Sequence, residues 1–497
     1  MDERTVDVVV IGAGAIGENV AGRAVRGGLS VVLVEAELVG GECSYWACMP
    51  SKALLRPGEA LTTIRAVPGA RAAVTGSLDP VEVLAWRDRV ASNWDDAGQV
   101  EWVRGAGIEL VRGHARLTGE RMVEVEPPDG TAETQGPDGP NRTDGPNGTV
   151  RLRARQAVVV ATGSVPTIPA VPGLEPTPYW TSREATSSHE VPAHLVVLGG
   201  GVVGVELAQA YRGLGSEVTL ISAAGLLSKH EPFAAQMLLK SLTEQGVAVI
   251  TEAEVKAVAG HPGPADDPAE QIRLTLADGR TVDGDRLLLA TGRTPTTHDL
   301  GLEAFGSTPG DPLLVDDSGR VTSVPGGWLY AAGDVNGRAP LTHQGKYQAR
   351  AIGDVIAARA AGTVGDVVEP WSPYAMTADH RSVPQVVFTR PQIASVGLTS
   401  AQARAQLPQV RCIDIPISVG GSSVHSEDYT GHALLVIDEQ RGVIVGATFV
   451  GPGVAELLHS ATVAVVGEVP LHRLWHAVPS YPTISEVWLR LLEAYGL

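Results

Sequence analysis

The sequence predicts an α/β protein in which two similar strand–turn–helix units are followed by a C-terminal α+β domain. Three observations support this prediction. A glycine-rich turn joins an apolar strand to a helix of small residues at 6–26, and the same arrangement returns at 195–214. From about Trp371 onwards the pattern changes to several apolar strands interspersed with short helices, which is typical of a separate α+β domain.

The first unit has the features of a Rossmann-like dinucleotide site. The apolar run 6–11 leads into a turn that contains Gly12, Gly14 and Gly17, and the next strand ends in Glu35. Glycines at this spacing allow the backbone to approach a pyrophosphate at a helix N-terminus, and the terminal acid is placed for an adenosine ribose hydroxyl. The unit therefore predicts a bound dinucleotide.

The second unit repeats this arrangement around Gly199, Gly201 and Gly204. Its second strand ends in Ser222 at the position where the first unit has Glu35. Because Ser222 lacks a carboxylate that would repel a 2′-phosphate, the second site permits NADPH, with NADH as the alternative.

Each unit also ends with an apolar strand and an Ala-Thr-Gly turn. The turn contains Thr162 and Gly163 in the first unit and Gly292 in the second. A simple end of a strand would explain either turn alone, but the repetition favours a shared role in cofactor binding. Two segments rich in Gly, Pro and Asp, 127–148 and 260–270, are predicted to be exposed hairpin loops or disordered inserts.

The stretch 40–52 contains two of the three cysteines, Cys43 and Cys48. Residues five apart in an ideal helix lie about 8.6 Å from each other, too far for a disulfide, so these two can pair only across an irregular turn. Pro50 is tolerated in a first helical turn, which predicts a helix that begins near it and continues past Lys52. Spacing alone leaves a reactive pair, metal ligands and buried apolar thiols as alternatives.

Composition and charge exclude several classes of function. With 38 basic and 56 acidic residues the formal net charge is −18, which argues against general binding of nucleic acid or anionic membranes. No apolar run has the length of a membrane span and 1–7 does not resemble a secretion signal, so we expect a cytoplasmic protein. A cysteine pair in a reducing compartment is more often catalytic than structural. Cys412 is expected to be buried in a strand.

The chain resembles the class I pyridine nucleotide-disulfide oxidoreductases over nearly its whole length. These are the flavoprotein disulfide reductases, which include dihydrolipoamide dehydrogenase, glutathione reductase, mercuric reductase and soluble transhydrogenase. The shared features are two dinucleotide units, Cys43 and Cys48 followed by Pro-Ser-Lys, a Gly-Asp pair at Asp334 and the terminal α+β domain.

This resemblance implies an FAD-binding domain, an NAD(P)H-binding domain and a dimerisation domain. It also implies a homodimer whose active site is shared across the interface and which uses a small-molecule acceptor. The implied boundaries are 1–165 and 294–370 for the two parts of the FAD-binding domain, 166–293 for the NAD(P)H-binding domain and 371–497 for the interface domain.

The resemblance further implies roles for single residues. Of the two cysteines in the redox disulfide, Cys48 would lie nearer the flavin and Cys43 would exchange with the acceptor. Lys52 would pair with Glu206 near the flavin. The residues that it assigns to cofactor binding are Gly12, Gly14, Gly17, Glu35, Gly41, Lys52, Thr162, Gly163 and Asp334, and Gly199, Gly201, Gly204, Glu206 and Gly292.

The chain departs from the family pattern at the acid/base residue. Members that act on dithiols carry His-Pro-Thr-x-x-Glu near the C-terminus, and this sequence has Tyr481 in place of the histidine, followed by Glu486. The pKa of tyrosine is about 10 against about 6.5 for histidine, so Tyr481 is a poor base at neutral pH but can donate a proton. His476 is an alternative acid/base residue, or a structural histidine.

Three functions remain open from the sequence. The first is electron transfer from NAD(P)H through FAD and the cysteines to a small disulfide or related acceptor. In the second, hydride passes from the flavin to a quinone or a second pyridine nucleotide without the cysteines. Tyr481 resembles the residue at this position in mercuric reductases and soluble transhydrogenases, and Trp46 resembles the transhydrogenase loop. The third is an FAD-binding redox sensor with little turnover. The first is favoured because both cysteines, Lys52 and Glu206 are present together.

Overall fold

A computed structural model describes residues 3–127, 135–136, 139–140, 148–261 and 271–497. The strands are β1 Glu3–Ile11, β2 Val31–Glu35, β3 Glu109–Arg112, β4 His114–Gly119, β5 Met122–Glu126, β6 Gln135–Gly136, β7 Gly139–Pro140, β8 Val150–Val160, β9 Ser164–Pro166, β10 His194–Leu198, β11 Glu217–Ile221, β12 Ala248–Ile250, β13 Val255–His261, β14 Gln271–Leu276, β15 Thr281–Gly284, β16 Arg286–Leu289, β17 Arg293–Pro295, β18 Leu329–Ala331, β19 Pro384–Val387, β20 Gln392–Gly397, β21 Val410–Pro416, β22 His432–Asp438 and β23 Val443–Gly451.

The helices alternate with these strands in the first half of the chain. They are α1 Ala15–Arg26, α2 Gly41–Tyr45, α3 Cys48–Arg65, α4 Pro80–Val90, α5 Ala97–Gly105, α6 Ser182–Ser187, α7 Val202–Leu214, α8 Pro232–Glu244, α9 Thr342–Ala360, α10 Ser400–Gln406, α11 Gly420–His425, α12 Leu458–Val466, α13 Leu471–Leu474 and α14 Val487–Tyr495.

The chain divides into two compact units. The first comprises Met1–Cys48, Ala91–Val165 and Arg293–Asp379, and the second comprises Met49–Val90, Pro166–Gly292 and His380–Leu497. The four-segment division given above follows function rather than compactness, and it stays a prediction.

The first unit is organised around a seven-stranded sheet. Its strand order is β3-β2-β1-β8-β5-β4, with β18 also paired to β8. β1 pairs in parallel with β2 and β8, so that Val8 lies opposite both Val31 and Ala157. Valine fills the centre of these strands because parallel strands are covered on both faces.

Helices α1 and α9 pack closely in this unit because glycines allow it. A Cβ atom added to Gly345 would lie 2.6 Å from Cγ1 of Ile16, and one added to Gly353 would lie 2.9 Å from the Val20 carbonyl oxygen. Arg23 of α1 forms an ion pair with Asp354 of α9. These contacts hold the two helices side by side.

The second unit contains a parallel sheet of order β12-β11-β10-β16, which repeats the pattern around β1, and a three-stranded antiparallel sheet of order β13-β14-β15. Its C-terminal part contains a five-stranded antiparallel sheet of order β19-β20-β23-β22-β21 with α12 and α14. The predicted α/β class with a terminal α+β region is thereby confirmed.

α3 begins at Cys48, so that Pro50 lies in its first turn as predicted. The structure corrects one local expectation. Cys412 lies in a strand as expected but is only half-buried, and the Arg404 guanidinium donates a hydrogen bond to its sulfur at 3.4 Å. Most of the predicted inserts at 127–148 and 260–270 lie outside the described residues. Within the described ranges, no helix has both the length and the apolar composition needed to cross a bilayer.

Candidate active site

The first glycine turn is folded so tightly that side chains cannot be accommodated. Gly12 has a φ of +99°, and a Cβ atom there would lie 2.6 Å from the Ala161 carbonyl oxygen. A Cβ atom on Gly17 would lie 1.8 Å from the Gly12 carbonyl oxygen. Gly14 precedes α1 with an extended backbone and has more space, since the nearest atom to an added Cβ is the Gly41 Cα at 4.0 Å.

The second turn has the same geometry. Gly199 has a φ of +126°, and an added Cβ would lie 2.2 Å from the Ala290 carbonyl oxygen. On Gly204 a Cβ would lie 1.9 Å from the Gly199 carbonyl oxygen, whereas around Gly201 no described atom lies within 4 Å of one. Each turn thus leaves open backbone at the N-terminus of a helix, which fits a pyrophosphate.

Glu35 lies at the end of β2 beside the first turn. Its Oε2 accepts a hydrogen bond from the Ala13 amide at 2.6 Å, and its Oε1 accepts one from the Glu37 amide at 2.8 Å. Burial raises the pKa of Glu35, and the two amides act in the opposite direction. The carboxylate is therefore fixed beside the glycine turn, where the predicted ribose contact requires it.

Asp334 and the first Ala-Thr-Gly turn lie in the same unit. Asp334 Oδ2 accepts a hydrogen bond from the Ser164 hydroxyl at 2.6 Å, and the Arg293 Nε donates to that hydroxyl at 2.7 Å. Thr162 donates from its hydroxyl to the Thr296 carbonyl at 2.6 Å. Gly163 has a φ of +72° with open space around it.

A buried glutamine that the sequence did not reveal supports the turn before Asp334. The Oε1 of Gln348 accepts hydrogen bonds from the Gly333 amide at 2.8 Å and from the Asn336 side chain at 2.9 Å. Its Nε2 donates to Asp379 at 2.9 Å. Gln348 lies on α9, so the position of Asp334 depends on that helix.

The cysteine loop crosses the first glycine turn. Gly40 and Gly41 both have positive φ, and Gly40 forms an isolated bridge with Gly14. A Cβ atom on Gly41 would lie 2.8 Å from the Gly14 Cα, so only glycine fits this crossing. The predicted pyrophosphate site and the start of the redox loop are therefore neighbours.

The two cysteines lie on different helices, as the spacing argument requires. Cys43 is in α2, Cys48 is the first residue of α3, and Trp46 and Ala47 between them are not helical. Both sulfurs are thiols and half-buried, and a hydrogen bond joins them. The Cys48 sulfur also lies 3.2 Å from the Thr342 hydroxyl at the start of α9.

The surroundings of Cys43 have opposing effects on its ionisation. The hydrogen bond to Cys48, and then burial, raise the pKa of the Cys43 thiol. The hydroxyl of Thr342 and the positive charge of Lys346 lower it. The sequence analysis missed both residues.

In the second unit Lys52 forms an ion pair with Glu206. The distance from Lys52 Nζ to Glu206 Oε2 is 2.7 Å, and the Glu206 side chain is 4% exposed. Glu206 Oε1 accepts a hydrogen bond from the Phe388 amide at 2.8 Å, and Nζ of Lys52 lies 5.0 Å from the centre of the Phe388 ring. The pair implied by the family resemblance is thus present.

Two further predicted cofactor residues also lie in the second unit. Ser222 is buried at the end of β11, where a Cβ atom on Gly200 would lie 2.6 Å from its hydroxyl. Gly292, with a φ of +134°, follows β16, and its carbonyl accepts a hydrogen bond from the Thr167 amide at 3.0 Å.

The C-terminal residues form a separate group in that unit. Tyr481 is 79% exposed, and Glu486 is buried with Oε2 accepting a hydrogen bond from the Gly421 amide at 3.1 Å. A Cβ atom on Gly420 would lie close to both, 2.9 Å from the Tyr481 ring and 3.1 Å from Glu486 Oε2. His476 is exposed beyond α13. No cluster of three or more metal-ligating side chains occurs among the described residues.

Comparisons with known proteins agree with this architecture. The family model described as pyridine nucleotide-disulphide oxidoreductase matches residues 6–360, and the dimerisation domain of the same family matches 383–491. Dihydrolipoyl dehydrogenase from Thermus scotoductus is 33% identical over 498 residues, which cover 99% of this chain and 97% of the relative. Mercuric reductase from Shigella flexneri is 31% identical over 483 residues, which cover 96% of this chain and 79% of the relative.

A solved structure has the same fold. It is the HOCl-induced flavoprotein disulfide reductase RclA from Escherichia coli, with a TM-score of 0.79 and 23% identity, covering 98% of this chain and 99% of that one. The matched family consists of oxidoreductases that bind FAD and use pyridine nucleotides. On the family match, which spans most of the sequence, the chain belongs to the class I pyridine nucleotide-disulfide oxidoreductases and is an FAD-dependent enzyme that uses NAD(P)H.

Proposed function

We propose that this enzyme passes electrons from NAD(P)H through FAD and a Cys43–Cys48 disulfide to a small disulfide or a related acceptor. The observation that supports this route most directly is the contact between the two thiols across an irregular turn. Thiols in hydrogen-bond contact require only a small movement to form a disulfide. The loop also begins at the glycine turn that fits a pyrophosphate.

The residues of the first unit fit FAD. The open backbone at Gly14 suits a pyrophosphate, and Glu35 suits a ribose hydroxyl. Asp334, which the Ser164 hydroxyl holds in place, offers a further hydrogen-bond acceptor. When bound, the flavin supplies a two-electron carrier between the nicotinamide and a disulfide. The second turn, around Gly201, would hold the NAD(P)H pyrophosphate in the same way.

Cys48 and Lys52 have separate parts in this proposal. The Thr342 hydroxyl, 3.2 Å from Cys48, can donate to a Cys48 thiolate and stabilise it, as can the amides at the start of α3. Lys52 neutralises the buried Glu206 carboxylate, because a buried charge without a partner is costly. In return, the Glu206 carboxylate fixes the position of the Lys52 ammonium group.

An anaerobic titration with NADPH tests the proposal. We expect the oxidised enzyme to take up four electrons per subunit, two for the flavin and two for the disulfide, and to show the long-wavelength thiolate-to-flavin band. Cys43→Ser and Cys48→Ser should each reduce the uptake to two electrons. Cys412→Ser is the matched control and should behave like the wild type, since Cys412 lies in β21 outside the site. A two-electron limit in the wild type contradicts the proposal.

Tyr481 favours a second candidate function, hydride transfer from the flavin to a quinone or a second pyridine nucleotide. A tyrosine at this position cannot serve as the usual thiol base at neutral pH. In that case steady-state turnover with a quinone would survive Cys48→Ser. If NAD(P)H oxidation were absent with disulfides, quinones and nucleotide analogues alike, a redox sensor would be the better description.

We also propose that the enzyme is a homodimer in which the partner subunit's Tyr481 and Glu486 complete the site, with His476 as the alternative proton carrier. The match to the family's dimerisation domain supports this arrangement, as does the exposure of Tyr481 on the C-terminal part of the chain. Turnover with a disulfide acceptor should fall in Glu486→Gln. His476→Gln separates Tyr481 from His476 as the proton carrier. This variant should lose turnover only if His476 carries the proton.

A further inference from the structure

The proposed exchange at Cys43 requires a group that favours its thiolate. Its hydrogen bond to Cys48 and its burial both disfavour ionisation. Tyr481 is a poor substitute for the histidine that usually assists this step. The chain must therefore supply the assistance from elsewhere if Cys43 is to act as a nucleophile.

Helix α9 carries a positive charge towards the cysteines. Its first residue, Thr342, contacts the Cys48 sulfur at 3.2 Å. Lys346 follows four residues later on the same helix face, one turn away. Lys346 is partly buried, and its charge acts on Cys43.

The charge of Lys346 also acts on a buried carboxyl group of α1. Gly345, next to Lys346, packs against Ile16, and Glu18 follows two residues later in α1. Glu18 is only 8% exposed, and no donor in the described part of the chain reaches its Oε1. The charge of Lys346 acts on Glu18 as it does on Cys43, so that the lysine interacts with both groups.

We propose that Lys346 is a positioning residue for Cys43, which stabilises the Cys43 thiolate during exchange with the acceptor, and that the charge of Glu18 modulates this stabilisation. The inference rests on the proposed disulfide reduction. It adds a same-chain source of thiolate stabilisation to a site that has Tyr481 at the position of the usual histidine.

The exchange itself balances without any further redox partner. The Cys43 thiol releases its proton to water, and the thiolate attacks one sulfur of the acceptor disulfide. A bond forms between Cys43 and that sulfur, while the other acceptor sulfur leaves as a thiolate and takes a proton from water. The Cys48 thiol then loses its proton to water and attacks the Cys43 sulfur, which restores the Cys43–Cys48 disulfide and breaks the bond between Cys43 and the acceptor sulfur. The second acceptor sulfur leaves as a thiolate and takes a proton from water. Two electrons leave the dithiol, and one acceptor disulfide is reduced.

Several titratable groups surround Cys43 and Lys346, and they determine how the reactivity of Cys43 depends on pH. Cys43 faces Cys48 on α3 and Thr342 and Lys346 on α9. Glu18 faces Lys346, and the carboxylate of Glu35 from β2 adds to the effect of burial. Burial raises the pKa of Glu18 to about 7. Glu18 therefore opposes Lys346 above that pH and is neutral below it.

The rate of Cys43 alkylation by iodoacetamide tests the inference. We use enzyme reduced anaerobically with NADPH and quantify the modified peptide by mass spectrometry. Lys346→Met should slow the reaction at pH 8 about tenfold, which corresponds to one pKa unit. Lys346→Arg keeps the charge and should retain the wild-type rate. Lys240→Met removes an exposed lysine from α8 and should change nothing.

Glu18→Gln should have the opposite effect to Lys346→Met. At pH 8.5 it removes a negative charge and should accelerate alkylation several-fold, whereas at pH 5.5, where Glu18 is protonated, it should have little effect. A loss of folding would not produce rate changes of opposite sign. If Lys346→Met does not bind FAD, Lys346→Gln and Glu18→Gln still provide the comparison.

The outcomes separate this inference from the proposed function. If Lys346→Met takes up four electrons per subunit but is alkylated at the wild-type rate, the role of Lys346 is wrong and disulfide reduction stands. If Glu18→Gln slows alkylation at pH 8.5, the modulating role of Glu18 is wrong. A two-electron limit in the wild type would remove both proposals.

Discussion

At the scale of single residues, Ser222 has the clearest functional consequence. It lies buried at the end of β11, where a Cβ on Gly200 would meet its hydroxyl at 2.6 Å. Glu35 occupies the matching position at the end of β2. A carboxylate there accepts hydrogen bonds from ribose hydroxyls and repels a 2′-phosphate, whereas a serine does not.

We therefore expect Ser222→Glu to lower the use of NADPH relative to that of NADH. The kcat/KM for NADPH should fall by at least about tenfold, which is ~1.4 kcal/mol, while that for NADH changes less. Ser222→Ala is the matched control, since it removes the hydroxyl without adding charge. Steady-state kinetics with both nucleotides measures the ratio, and equal losses for the two would show that Ser222 does not face the ribose.

Glu18 links one residue to the stability of the whole fold. Its pKa is raised by burial from 4.5 to about 7, so the folded state binds its proton more tightly than the unfolded state. This contribution to stability is complete below the unfolded pKa and is lost as the pH rises through about 7. At pH 8 an ionised Glu18 therefore destabilises the protein by up to about 3 kcal/mol.

Glu18→Gln should remove this pH dependence. Its free energy of unfolding should match that of the wild type near pH 4.5 and exceed it by up to about 3 kcal/mol at pH 8. Denaturant unfolding of the holoenzyme at both pH values measures the difference. A constant difference between the two proteins across this range would mean that Glu18 does not titrate there.

At the scale of elements, each glycine turn contains glycines required for two different reasons. Gly204 is required by the protein itself, because a Cβ would lie 1.9 Å from the Gly199 carbonyl oxygen. Gly201 has open space around it and precedes α7 with an extended backbone, so its lack of a side chain matters only to a ligand. The same contrast holds for Gly17 and Gly14 in the first turn.

Alanine substitutions in the second turn should separate these two reasons. Gly204→Ala should destabilise the protein by about 1–3 kcal/mol, the usual cost of overpacking. Gly201→Ala should leave stability unchanged but raise the KM for NADPH, because the methyl group meets the pyrophosphate. Thermal unfolding without nucleotide and steady-state kinetics distinguish the two effects. Loss of stability in Gly201→Ala would contradict this assignment.

At the scale of the whole molecule, the features that could be predicted from the sequence are those that depend on residues close together in the chain. Both glycine turns, the strands that flank them and the irregular turn between Cys43 and Cys48 follow from residues close together in the chain. The start of α3 near Pro50 also follows from local chemistry, because proline is tolerated in the first turn of a helix.

The rest of the site could not be predicted, because it depends on contacts between distant segments. Thr342 reaches Cys48 across 294 positions of sequence, and it does so only because α9 packs on α1. Lys346, Glu18 and Gln348 have no motif of their own, and their importance comes from burial and from their neighbours. The one signal in the sequence was Glu18 itself, an acidic residue in the first turn of the helix that follows the first glycine turn.

The C-terminal part of the chain exposes apolar side chains of the kind that a subunit interface covers. Val463 on α12 is 53% exposed and Val478, between His476 and Tyr481 in the sequence, is 84% exposed. Apolar contact area is the main source of stability in obligate dimers, and a charge in such an interface is strongly unfavourable. We therefore expect Val463→Asp and Val478→Asp to weaken the dimer.

Sedimentation velocity checks this expectation against a matched substitution. The wild type should sediment as a particle of twice 51.8 kDa, and the double variant Val463→Asp/Val478→Asp should sediment as a single chain. Val367→Asp introduces the same charge at a residue of the first unit that is 85% exposed, and it should remain dimeric. The monomer should still reduce its flavin with NADPH but turn over disulfides slowly, because the partner subunit's Tyr481 is then missing from the site. A monomer with full disulfide turnover would show that each chain carries a complete site.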